Sequence, residues 1–145
     1  MSSAAYGPFV SRLTPLLSAA PNLTHVDFQP LPALTRALSA PVTEIATFHF
    51  TSSPGDDWLA NAARAAEWLE REAGESRGLA YGVTHEEVEY EGVKGRAGVV
   101  VVGWTSREAH LAFRETEGFR ENIGLLRGEC EKVEMWHVAV MEAVE

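Results

Sequence analysis

The sequence predicts an α+β domain whose elements run β-α-β-β-α-β, preceded by an N-terminal extension. Three observations carry this. Four consecutive valines at 99–102 mark a strand buried on both faces. That strand runs directly into an amphipathic helical stretch, which breaks near Glu117-Gly118 and resumes. Upstream, a second helical stretch with a wide apolar face stands between two extended runs rich in β-branched and aromatic residues.

Residues 1–41 hold six of the seven prolines. Two short helical stretches fit between them, at about 8–19 and 31–39, with Pro8 and Pro32 in first turns where a missing N–H costs little. Residues 25–29 alternate as an extended segment. So many apolar residues argue against a disordered tail, and the arm is expected to wrap a core domain spanning 42–145.

The core opens with a strand at 43–50. A period of two puts Ile45, Thr47 and His49 on one face and Ala46, Phe48 and Phe50 on the other. Asp56 and Asp57 suit the start of a helix over about 56–74, where negative charge meets unsatisfied N–H groups. Leu59, Ala62, Ala66, Leu69 and Ala73 make one stripe of its buried face, and Trp58, Asn61, Ala65 and Trp68 the adjoining one. The second strand is expected at 79–90, with acids alternating along its distal half as on an edge. Gly92 and Gly95 turn the chain into the third strand, 96–104. Thr105-x-x-Glu108 reads as a capping box for the second helix, and the fourth strand is expected at 133–144. The resulting order is ferredoxin-like: one antiparallel four-stranded sheet, ordered four-one-three-two, with both helices on one face. The bare opposite face carries large apolar residues, so a homodimer that stacks two sheets into a barrel is expected.

Charge and composition narrow the function. The formal net charge is −9, against nucleic acid, whose binding rests on Lys and Arg neutralising phosphate, and against an anionic membrane surface. With one cysteine, Cys130, and no secretory pattern at the N-terminus, a cytoplasmic protein is expected.

The Gly-Trp ending of the third strand, followed by Thr-Ser-Arg-Glu-Ala-His and by Phe-Arg-Glu-Thr-Glu-Gly-Phe, resembles the dimeric α+β barrel superfamily. That group includes antibiotic-biosynthesis monooxygenase-like proteins, stress-responsive barrel proteins and polyketide cyclases. Residues 41–48 look like the first strand of fungal members. The resemblance covers about 41–144. It implies a pocket between sheet and helices that hosts cofactor-free oxygenation, cyclisation or haem degradation. Cyclase-type members carry a His-Pro-x-His-like pattern in the second helix. The comparable stretch here, 113–119, holds no histidine, and His110 lies one turn earlier.

Candidate chemistry comes from the histidines. His49 and His137 belong to strands expected to be neighbours, so both imidazoles are expected on one face, as general acid or base. His110 is a third candidate. Asn61, Tyr81, Trp58, Trp68 and Phe113 are the expected substrate contacts, the amide orienting an oxyanion between flat indole walls. For each, ordinary packing is the competing explanation. The histidine spacing matches no metal motif, no axial ligand marks a haem slot, and no Gly-rich loop follows a strand, so no metal and no cofactor are expected. The expected function is cofactor-independent proton abstraction on an aromatic or polyketide-like substrate, leading to cyclisation, dehydration or oxygenation. The alternatives are a non-catalytic ligand-binding or stress-responsive barrel protein and a paralogue whose pocket is filled by Phe113, Phe119 and the tryptophans.

Overall fold

The computed structural model describes residues 6–19 and 22–139. After helix α1 (Tyr6–Leu13), a 3-10 turn and helix α2 (Leu31–Leu38), the core runs β1 (Val42–His49), α3 (Asp56–Glu72), β2 (Ser76–Val83), β3 (Val88–Tyr90), β4 (Val93–Gly95), β5 (Ala97–Trp104), α4 (Arg107–Arg114), α5 (Glu117–Asn122), α6 (Gly124–Arg127) and β6 (Lys132–Val138). The main sheet has the order β2-β5-β1-β6, and every neighbouring pair is antiparallel. This is the α+β, ferredoxin-like architecture that the sequence predicts.

Helices α3 to α6 cover one face. Trp58 of α3 is buried against Phe48 and Phe50, and its indole N–H donates to the Leu126 carbonyl at 2.9 Å, tying α3 to α6. Trp58 seats because Gly98 of β5 has no side chain: a Cβ there would lie 2.4 Å from the indole ring.

The arm lies on the opposite face. Val26 and Gln29 pair with Thr84 and Tyr81. Helix α2 packs on β2 and β5, where its Ala37 carbonyl accepts from buried Thr43 at 2.9 Å. Gly103 admits the helix, since a Cβ would sit 2.7 Å from the Ala37 backbone. The β1–β6 half of this face stays uncovered among the described residues, with Trp136 61% and Val138 39% exposed.

Three expectations need correction, and the end of a fourth lies outside the described residues. The strand expected at 79–90 is two elements. Thr84 ends the first: its hydroxyl accepts from Ala97 N–H at 2.9 Å and donates to Glu86 O at 2.8 Å, which turns the chain out of the ladder. Residues 88–95 then form a separate hairpin, with Glu91 and Gly92 at positive φ in the two-residue turn. The helix cap falls on Ser106, which accepts from Ala109 N–H at 3.0 Å, while Thr105 donates to Glu75. The helical break comes at Glu115-Thr116, where Thr116 caps α5 by accepting from Phe119 N–H. The fourth strand runs over Lys132–Val138, and the rest of its expected span lies beyond residue 139, outside the described residues.

Gly98→Ala tests the seating of Trp58. Overpacking of this kind costs about 1–3 kcal/mol, and urea denaturation should show a lower midpoint with an unchanged m-value.

Candidate active site

The register of β1 decides which polar side chains meet. Glu44 stands opposite Val102 on β5 and His137 on β6, so Glu44, Ala46, Phe48, Met135 and His137 all face the helices. His49 stands opposite Lys132 and shares the other face with Thr47. The expectation that His49 and His137 project from one face is therefore wrong. Their strands are neighbours, but the pairing register offsets the two residues by an odd number of positions.

His110 comes to His137 from the first turn of α4. Its Nδ1 lies 2.7 Å from His137 Nε2, so one ring donates and the other accepts. On its other side, His110 Nε2 lies 3.4 Å from Glu44 Oε2, and the same oxygen accepts from Trp104 Nε1 at 2.9 Å. The His110 ring is 2% exposed and stacks on Trp104, with centroids 4.9 Å apart at 18°. This chain of Trp104, Glu44, His110 and His137 leads from the core to half-buried His137 at the edge strand.

Burial governs the protonation of this group. Desolvation, opposed by the Trp104 hydrogen bond and by the Arg114 charge, pushes the Glu44 carboxyl up to about 7. Desolvation, reinforced by the positive charges of His137 and Arg114, pushes the His110 imidazole down to about 4. His137 is also lowered, first by burial and then by Arg107 and Arg114. Although Glu44 and His110 are close enough for an ion pair, the weakly acidic range holds them as neutral acid and neutral base.

A cleft of about 210 Å³ opens beside this chain. Glu44 and His110 line its polar end. Trp68, Trp104, Phe113 and Phe119 supply aromatic walls, and Arg114, Asn122 and Arg127 lie among its lining residues. Phe113 packs against Trp68 and Trp104 at centroid distances of 5.3 and 5.5 Å.

Of the residues expected from sequence, His110, Trp68 and Phe113 line this cleft, and His137 touches His110. The others do not converge here. Trp58 and Asn61 line a separate depression beside the loop at 50–57. Tyr81 is 8% exposed within the core cluster. His49 is buried on the outer face, stacked on Tyr90 at 4.8 Å, with neither ring nitrogen hydrogen-bonded and Glu134 Oε2 3.6 Å from its Nε2. Glu44 is the residue of this cleft that sequence reasoning missed. Its signal was a carboxylate in phase with Ala46 and Phe48, on the buried side of a strand. Among the described residues, no group of three or more His, Cys, Asp or Glu side chains is placed to hold a metal ion, and no helix is long and apolar enough to cross a membrane.

Comparison with solved structures bears on the fold. The Arabidopsis thaliana protein At3g17210 superposes with a TM-score of 0.55 at 14% identity, over 72% of this chain and 100% of that one. A dimeric ferredoxin-like protein of unknown function from Thermobifida fusca gives 0.50 at 14%, over 68% and 90%. A Bordetella bronchiseptica protein assigned by name to the antibiotic biosynthesis monooxygenases gives 0.51 at 24%, over 70% and 97%. The chain shares their ferredoxin-like fold. No family model and no curated protein matches the sequence. One of these neighbours is from a plant and two are bacterial, and none of the three bears on the fungal resemblance of the first strand.

The two buried shifts act oppositely on stability. Glu44, raised in the fold, contributes stability that is present below pH 4.5 and lost as pH rises through about 7. His110, depressed in the fold, contributes stability that is present above pH 6.5 and lost as pH falls through about 4. Together they nearly cancel, leaving a flat profile between pH 4.5 and 6.5. In Glu44→Gln the opposing Glu44 contribution is gone and the His110 contribution remains. Thermal or urea denaturation of that variant should show stability rising with pH across this window, by up to about 1.4 kcal/mol per unit. A profile as flat as that of the parent would contradict the assignment.

Proposed function

We propose that this chain is a small-molecule enzyme that abstracts a proton, without a bound cofactor, from an aromatic or polyketide-like substrate held in the cleft between sheet and helices. The observation that carries this reading is the Glu44–His110–His137 chain, with Glu44 and His110 buried, beside a cleft with aromatic walls. A general base works best with a pKa near the working pH, and Glu44 at about 7 meets that condition. The aromatic walls hold a flat substrate with its acidic C–H or O–H toward Glu44 and His110. Glu44 takes the proton, and His110 stabilises the charge that develops beside it. His137 sits nearer solvent and passes the proton between the site and water. Cyclisation, dehydration and oxygenation all begin with such a step, and the neighbour named as a monooxygenase fits this range. His49, on the other face, takes no part.

We further propose a homodimer through the uncovered β1–β6 half of the outer face. A second copy there would cover Trp136 and Val138. The dimeric Thermobifida neighbour supports this reading.

Turnover of a model 1,3-dicarbonyl or phenolic substrate should rise with pH through about 7, as Glu44 ionises. Glu44→Gln and His110→Gln should each lower kcat by about 10²–10⁴, with the rising limb lost in Glu44→Gln. Full activity in both variants would remove the proposal. For the dimer, light scattering should show Trp136→Glu as a monomer, while a monomeric parent chain would refute the interface.

A further inference from the structure

We propose that the cleft is selective for a single-ring aromatic carboxylate, with Arg114 and Arg127 as the anion-recognising groups. This rests on the cleft being a ligand site, and it adds what the ligand must carry. The chain bears 21 acidic against 12 basic side chains, yet the charge balance at the cleft is reversed. Its lining residues include two arginines and a single acidic residue, Glu44. Glu44 is 8% exposed and already accepts a hydrogen bond from Trp104, which leaves the arginines as the dominant charges among the lining residues.

Both arginines are unengaged among the described residues. Elsewhere Arg36 pairs with Glu70 and Arg120 with Glu115, and Arg96 donates to the Thr84 carbonyl, but neither Arg114 nor Arg127 has an ion pair or a side-chain hydrogen bond. Arg114 is half-buried on the last turn of α4. Its charge is felt at Glu44, His110 and His137 alike, placing the guanidinium field across the polar end of the cleft. Arg127 ends α6 and is exposed. A half-buried arginine with no partner among the described residues, beside aromatic walls, is a ready receptor for a planar carboxylate, which it binds through two parallel N–H···O bonds. Pockets for drug-sized ligands measure about 300–1,000 Å³, so a cleft of about 210 Å³ suits one ring and its substituents. Trp68, Trp104 and Phe113 offer that ring flat and edge contacts.

Benzoate and benzamide test this, because they share ring and shape and differ in charge. In titrations followed by tryptophan fluorescence and by amide chemical shifts at Trp104 and Phe113, benzoate should bind at least tenfold more tightly than benzamide. Raising salt from 50 to 500 mM should weaken benzoate alone. Arg114→Gln should remove most of the tenfold preference and leave benzamide binding unchanged. Arg114→Lys, which keeps the charge without the fork, should retain part of it, and circular dichroism should confirm that both variants are folded. Equal binding of the two compounds, or loss of both in Arg114→Gln, would overturn the selectivity while leaving the cleft as a ligand site. No shift at Trp104 or Phe113 with either compound at millimolar concentration would overturn the site itself.

Discussion

The register of β1 between β5 and β6 is the constraint on which the rest of this structure depends. It sets Glu44 opposite Val102 on one side and His137 on the other, and so decides that a carboxylate and an imidazole enter the helix-covered face. A slip of one residue would exchange the two faces of the strand. Glu44 and Phe48 would then face the arm, and His49 would face the core. The register is pinned by packing on both sides of the sheet. On the helix side, Phe48 and Trp58 interlock over Gly98. On the arm side, Thr43 bonds to Ala37 beside Gly103. The geometry of the Glu44–His110–His137 chain and the packing of the core therefore rest on the same set of pairings.

Within that frame, the buried polar chain avoids the usual cost of isolated interior charge. A carboxylate and an imidazolium placed side by side in a desolvated site must justify two charges. Here the fold instead shifts one proton from histidine to glutamate relative to the unfolded chain and keeps both groups neutral in the weakly acidic range. Trp104 holds the carboxyl oxygen and also stacks on His110, so one indole positions both partners. The two faces of the sheet thus do different work. The inner face carries titratable groups in an aromatic setting. The outer face is divided between the chain's own arm and an open half.

Much of the fold was legible in the sequence, because it is written in periodicity. The Val run at 99–102, the wide stripe of α3 and the alternation of β1 give the element order and the strand order. The misses share a physical origin in side chains that compete with the backbone. Thr84 looks like a strand residue, yet its hydroxyl pairs with Ala97 and Glu86 and ends β2. Ser106 rather than Thr105 takes the cap, because Thr105 finds Glu75, 30 residues away. The site was half legible. His110, Trp68 and Phe113 follow from composition and helical phase. The meeting of His137 with His110, and the removal of His49 from their company, follow from inter-strand register, which no local pattern encodes. Glu44 was visible as an acid on an apolar face.

His110 is a neutral imidazole buried between Glu44 and His137. Nitrogen-15 NMR of the labelled histidine side chains across pH 3–9 tests it most directly. His110 should stay neutral down to about pH 4, with one ring nitrogen protonated and the other an acceptor, and its signals should respond as Glu44 titrates near pH 7. A His110 ring that takes up its proton at pH 6.5, as a solvent-exposed imidazole does, would contradict it.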